Sequence, residues 1–118
     1  MYEYRATILR WVDGDTVDVD IDLGFGVWMR RQRVRLYGIN TPESRTRDLE
    51  EKERGLAAKD FAKGLAPVGK EICIRTMKDK ETGKYGRIFG EIMIDDETSV
   101  NKMLVENGHA VEYFGGKR

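Results

Sequence analysis

The chain has 118 residues, 40% of them hydrophobic and 36% charged, and its 21 Lys and Arg balance 21 Asp and Glu. That length suits one domain, residues 1–118, with a modest core, no apolar run approaches the roughly 20 residues of a membrane helix, and the single cysteine, Cys73, excludes an intrachain disulfide. Zero net charge counts against a general nucleic-acid coat, but the charges are unevenly placed: residues 13–22 hold five aspartates and no Lys or Arg, and residues 30–35 hold four arginines and no acid.

Residues 2–12, rich in Tyr, Ile, Thr, Val and Trp, predict a first strand. Asp13-Gly14-Asp15-Thr16 breaks it with a tight turn. Val17, Val19, Ile21 and Leu23 then alternate with Asp18, Asp20 and Asp22, a period of two that predicts a strand with one buried and one wet face. Gly24-Phe25-Gly26 predicts the next turn, and residues 27–39 a third strand. Its parity is imperfect, since Trp28, Val34 and Leu36 share a side with Arg30 and Gln32; a bulge or a projecting basic extension accounts for that. A helix is expected over 49–65, with Ala58, Phe61, Ala62 and Leu65 at helical spacing and Pro67 as its stop. Residues 70–77 and 87–94 predict a strand pair. Ser99 is suited to cap a second helix ending at Gly108, and Ala110 to Phe114 form a last short strand or arm. Five strands and two helices give an α+β, mainly β, fold: a five-stranded OB-fold-like Greek-key barrel, an architecture that commonly binds oligonucleotides.

Four charged residues fall in short turn-like motifs: Asp15 in the DGDT turn, Arg35 and Glu43 bracketing RLYGINTPE, and Arg87 after Tyr85-Gly86. A carboxylate on a tight turn suits a hard cation, although Asx hydrogen bonding within the turn is the favoured account of a lone DGDT. Guanidiniums offer a rigid fork of donors to two phosphate oxygens. A carboxylate held off a strand end by Pro42 suits a general base, and equally the first turn of a helix. Lys84, Tyr85 and Arg87 combine two cations with an aromatic ring, a set that suits a nucleotide. The Asp18, Asp20 and Asp22 stripe reads as a solvated strand face, with Asp20 the one member considered as a further metal ligand. Cys73, between Ile72 and Ile74, reads as an inert thiol, and the lone His109 has no second histidine to work with.

Together, Asp-Gly-Asp-Thr, then Arg five residues before Asn-Thr-Pro-Glu, then Lys-Tyr-Gly-Arg, resembles the staphylococcal nuclease (thermonuclease) family, with further matches at Ser99-Val100-Asn101 and Leu104–Ala110. The resemblance implies an OB-fold barrel that hydrolyses DNA or RNA with Ca2+, favouring single strands, to 3′-phosphate products. It implies that Asp15, Asn40 and the Thr41 carbonyl hold the metal, that Arg35 and Arg87 bind the scissile phosphate, that Glu43 activates or orders water, and that Lys84, Tyr85 and Tyr113 contact the nucleotide. The family generally has aspartate where this chain has Asn40, which lowers the ligand charge and hence the expected calcium affinity. It also commonly continues into a third helix, so a frayed tail is expected at Gly115–Arg118. Two non-catalytic alternatives are a nuclease-like module that binds nucleic acid without cleaving it, and a single-strand-binding domain that stacks bases on Trp11, Trp28 and Tyr85. The remaining expectations are nucleic acid as partner, no membrane, a monomer, and a cytoplasmic location from the absence of a cationic start and apolar segment in Met1–Trp11, with secretion left open if the chain is trimmed.

Overall fold

The alternation in β2 (Thr16–Gly24) sets the barrel wall: Val17, Val19 and Ile21 are buried, while Asp18, Asp20 and Asp22 stand on the outer face. In the computed structural model, which describes residues 2–76 and 88–113, β2 pairs antiparallel with β1 (Tyr2–Asp13) and with β3 (Val27–Leu36). Strands β5 (Glu71–Thr76) and β6 (Ile88–Met93) complete a closed barrel in the order β1-β2-β3-β6-β5. Every neighbouring pair is antiparallel except β3 and β6, which run parallel. The architecture is therefore the mixed five-stranded barrel with two helices that the strand and helix periodicities predict.

The imperfect parity of β3 is a bulge. Val19 pairs with Gln32 and Ile21 with Met29, so two steps along β2 face three along β3. Arg31 takes a positive φ of 54° at this point, and its N–H donates to Asp20 Oδ1 at 2.9 Å. Strand β1 also shifts register, between Ile8 and Arg10 and between Trp11 and Asp13. The shifts bring the successive residues Trp11 and Val12 both under cover.

The predicted third strand, residues 27–39, is one strand broken in two. Gly38 adopts φ 81°, a backbone that side-chain-bearing residues rarely enter. The chain turns there after Leu36 and resumes as β4 (Ile39–Asn40), which leaves the barrel to pair with β7 (Val111–Glu112). The C-terminal segment is thus a strand, and Tyr113 N extends the pairing by donating to Gly38 O at 2.7 Å.

Helix α1 (Leu49–Leu65) closes one side of the barrel. Asp48 caps it by accepting from Glu50 N and Glu51 N. Ala58, Ala62 and Ala66 recur every four residues and are fully buried, a small-residue face that lets the helix approach the sheet closely. Trp11 inserts beneath its end, and the indole Nε1 donates to Ala66 O at 2.8 Å, so the polar edge of a core ring stays satisfied. This assigns Trp11 to the core. Trp28 is half-buried and lies under the Arg30 guanidinium, 4.8 Å from its ring centroid.

Helix α2 (Val100–Glu106) starts at Ser99, whose side chain accepts from Lys102 N. Its buried Asn101 accepts from Ile92 N at 3.1 Å and donates to Tyr37 O at 2.9 Å and Gly90 O at 3.3 Å. One side chain thereby joins α2, β6 and the turn after β3. Asn101→Ala would strip the buried Ile92 N–H of this acceptor and remove one donor from Tyr37 O and one from Gly90 O, which keeps the Tyr37 N–H, an expected cost of about 1–3 kcal/mol. Urea denaturation checks this as a lower midpoint at unchanged slope.

Candidate active site

The two residues of the β1–β2 turn, Gly14 and Asp15, lie between the paired Asp13 and Thr16. Asp15 is 8% exposed, unusually covered for an acid on a turn. Its Oδ1 accepts from the Thr16 hydroxyl at 3.1 Å and its Oδ2 from Thr41 N at 3.0 Å. Neither is the bond of an Asx turn, in which the carboxylate accepts from the backbone N–H two residues on: the first oxygen is engaged by the adjacent hydroxyl, and the second reaches across to another part of the chain.

Arg35 leaves the outer face of β3, opposite the buried Val34 and Leu36, as its strand parity requires. Its guanidinium then folds back over the turn. Nη1 donates to Ile39 O at 3.1 Å and Leu36 O at 3.3 Å, and lies 3.3 Å from Asp15 Oδ2. Nη2 donates to Asn40 Oδ1. The ion pair is mostly covered, with the two side chains 19% and 12% exposed, so it is less screened than the sheet-surface pairs.

Thr41 and Ser44 anchor the loop that carries Glu43. Thr41 N is held by Asp15, and both Ser44 N, at 3.3 Å, and the Ser44 hydroxyl donate to Asp13 Oδ1. The two acids on either side of Gly14 thus grip the loop at both ends. Glu43 N donates to Glu51 Oε2 at 3.3 Å, while the Glu43 side chain is exposed. Beneath the loop runs Gly55 of α1. A Cβ there would fall on the main chain of Glu43 and lie 2.7 Å from Ser44 N. Only a glycine lets the helix come so near.

Of the sequence-derived site residues, Asp15, Arg35, Asn40 and Thr41 form one hydrogen-bonded cluster. Glu43 follows two residues later on the anchored loop. Tyr113 attaches at Gly38, in the turn that Arg35 spans. Lys84, Tyr85 and Arg87 lie outside the described residues. Asp20 does not join the cluster. It is about 16 Å along the strand from Asp15, and the Arg31 N–H, followed by the Arg30 guanidinium, holds its carboxyl below the usual carboxylate range. Asp18 is likewise paired with Arg33, whose guanidinium it raises above its ordinary value. Sequence reasoning assigned no role to Asp13, Ser44 or Gly55, although the second acid of the DGD motif was a usable signal.

Among the described residues no three His, Cys, Asp or Glu side chains gather as a metal site. The cluster does offer oxygen donors: the Asp15 carboxylate, the Asn40 amide oxygen and the Thr41 hydroxyl, which is buried without a hydrogen-bond partner. Hard oxygens of this kind fit a hard divalent cation, with one negative charge among them.

The family described as staphylococcal nuclease homologue matches residues 33–118. Endonuclease YhcR of Bacillus subtilis (strain 168) is 27% identical over 117 residues, covering 95% of this chain and 9% of that protein. Protein ParB of Escherichia coli is 30% identical over 124 residues, covering 98% of this chain and 61% of its own length. Thermonuclease of Staphylococcus hyicus is 31% identical over 113 residues, covering 95% and 61%. The chain thus spans less than two thirds of the length of each of these relatives.

Gly55→Ala is expected to destabilise the protein by about 1–3 kcal/mol through overpacking against the Glu43 main chain. Gly64→Ala, on the same helix with nothing within 4 Å of its Cβ position, is expected to stabilise it by about 0.5–1 kcal/mol. Thermal melts of the two variants beside the wild type separate these opposite signs.

Proposed function

The chain belongs to the staphylococcal nuclease family, and we propose that it is a nuclease hydrolysing phosphodiester bonds of DNA or RNA, favouring single strands and leaving 3′-phosphate ends. The observation that supports the reading most is the covered Arg35 guanidinium, held with Asp15, Asn40 and Thr41 beside the anchored loop of Glu43. Two features phosphoryl chemistry requires, a fork of donors for phosphate oxygens and a carboxylate for the attacking water, lie on one stretch of backbone.

In this reading Arg35 binds a non-bridging oxygen of the scissile phosphate and favours the charge that builds there in the transition state. Arg87, which lies outside the described residues, has the role of a second phosphate-binding guanidinium in this reading. Glu43, projecting from a loop fixed at Thr41 and Ser44, takes the proton of the water that attacks phosphorus; the P–O5′ bond breaks, and the 5′-oxygen leaves and takes up a proton to give a 5′-hydroxyl beside the 3′-phosphate. Lys84, Tyr85 and Tyr113 contact the nucleotide. Ca2+ would be held by Asp15, Asn40 and Thr41, and such a cation supplies charge neutralisation at the phosphate when bound. The oxygens of Asp15 and Asn40 are the ones Arg35 engages, so freeing the guanidinium for phosphate and filling those oxygens are coupled events. With an amide at position 40 the site carries one carboxylate charge, which implies activity at relatively high calcium.

The test is cleavage of single-stranded DNA and RNA with millimolar calcium or a chelator. The wild type is expected to cut in calcium and Glu43→Gln to lose about 10²–10⁴ in kcat. Asn40→Asp is expected to lower the calcium concentration for half-maximal rate. A wild type that binds oligonucleotide but never cleaves would replace this reading with that of a nuclease-like binding module.

A further inference from the structure

Between the end of β1 and α1 lies a cleft of about 330 Å3 with Arg10, Arg45, Lys59 and Lys63 around it, Trp11 and Val12 in its wall and no acid in its lining. The charge pattern of this cleft differs from that of the sheet surface. There four arginines are matched, Arg30 with Asp20, Arg33 with Asp18, Arg75 with Glu3 and Arg5 with Glu71, and Arg31 alone among the arginines of β3 and β5 makes no ion pair among the described residues. None of the four cleft cations makes an ion pair among the described residues. Lys59 and Lys63 stand one turn apart on α1, where like charges repel and an anion between them relieves the repulsion. In a chain of zero net charge, this concentration of unmatched cations is a local arrangement and not a reflection of bulk composition.

The cleft is lined by chain neighbours of the candidate site. Arg45 follows directly on Ser44, which Asp13 holds. Lys59 follows Ala58, whose Cβ lies 2.9 Å from the Cβ position of Gly14, the neighbour of Asp15. Arg10 is on β1, the strand that leads into the same turn. An extended polyanion passing the Arg35 and Glu43 loop would therefore meet these cations next. Val68, exposed at the edge of the cleft, offers apolar surface to a sugar or base.

We propose that this cleft is a track for the phosphate backbone of single-stranded nucleic acid flanking the scissile bond, with Arg10, Arg45, Lys59 and Lys63 as phosphate contacts. The proposal rests on the nuclease reading for its substrate class, but its test is binding and does not require turnover. A fluorescent oligothymidylate of about 12 nucleotides is titrated in chelator at several salt concentrations against three proteins. They are the wild type, Arg10→Gln/Lys59→Gln/Lys63→Gln, and a charge-matched control, Arg5→Gln/Arg75→Gln/Lys102→Gln, whose residues lie away from the cleft.

Each phosphate contact on a single strand contributes about 0.7 to the slope of log affinity against log salt. The cleft variant is expected to lose about 2 units of slope and at least about tenfold in affinity at low salt, with the control near wild type. Equal behaviour of the two variants, or no binding by the wild type, overturns the proposal. The melting curve of each variant verifies folding, and Lys59→Arg/Lys63→Arg is expected to retain wild-type binding. If the cleft variant alone loses affinity while the wild type never cleaves in calcium, the track stands and the nuclease reading falls. If the wild type cleaves and the cleft variant binds normally, the reverse holds.

Discussion

The half-buried Arg35 guanidinium donates to the main chain at Leu36 and Ile39 and to Asn40 Oδ1, and it lies against the carboxylate of Asp15. Through these contacts the β1–β2 turn, the end of β3 and the start of β4 meet at one point. A charge this far out of water is tolerated because its donors are engaged by carbonyls and by an opposite charge. The same engagement draws the chain around Gly38, out of the barrel and towards the Glu43 loop. Structure and candidate chemistry therefore share a single group, and a change at Arg35 touches both.

A second constraint acts from the other side of the loop. Helix α1 presents Gly55, Ala58 and Ala62 to the barrel, and the absence of larger side chains lets it lie almost on the backbone of Glu43 and Ser44. Asp13 and Asp15 hold the loop from the turn side. Placing a catalytic group well depends on such supporting contacts, because a carboxylate off by about 1 Å loses its advantage over solvent. The helix that buries the core is also the one that carries Lys59 and Lys63 to the cleft, so core packing and surface charge are set by adjoining faces of one element.

Much of the architecture was legible because it rests on local regularities. The alternation of valines and aspartates in β2, the alanines of α1 and the Ser99 cap of α2 each register in a window of a few residues, and each element appears where its pattern put it. The bulge in β3 was legible as faulty parity, since Arg30 and Gln32 could not share a buried face with Val34. The break at Gly38 was not, because residues 37–40 read equally well as a continuing strand. What decided it was the pull of Arg35 on Ile39 and Asn40 and the arrival of β7, a segment more than seventy residues away. The grip of Asp13 on Ser44 was hidden for the same reason.

From the order of its residues this chain determined a small β-rich barrel, the positions of its helices and a set of charged groups suited to phosphodiester chemistry, since strand period, helix period and capping act over neighbouring residues. Folding alone decided that Asp15, Arg35, Asn40 and Thr41 become one covered cluster, that Asp20 stays on the outer sheet with arginines of its own, and that four cations from β1, the Glu43 loop and α1 line one cleft. Those outcomes depend on contacts between distant segments, and the burial and ion pairing that fix them arise only once the barrel has closed.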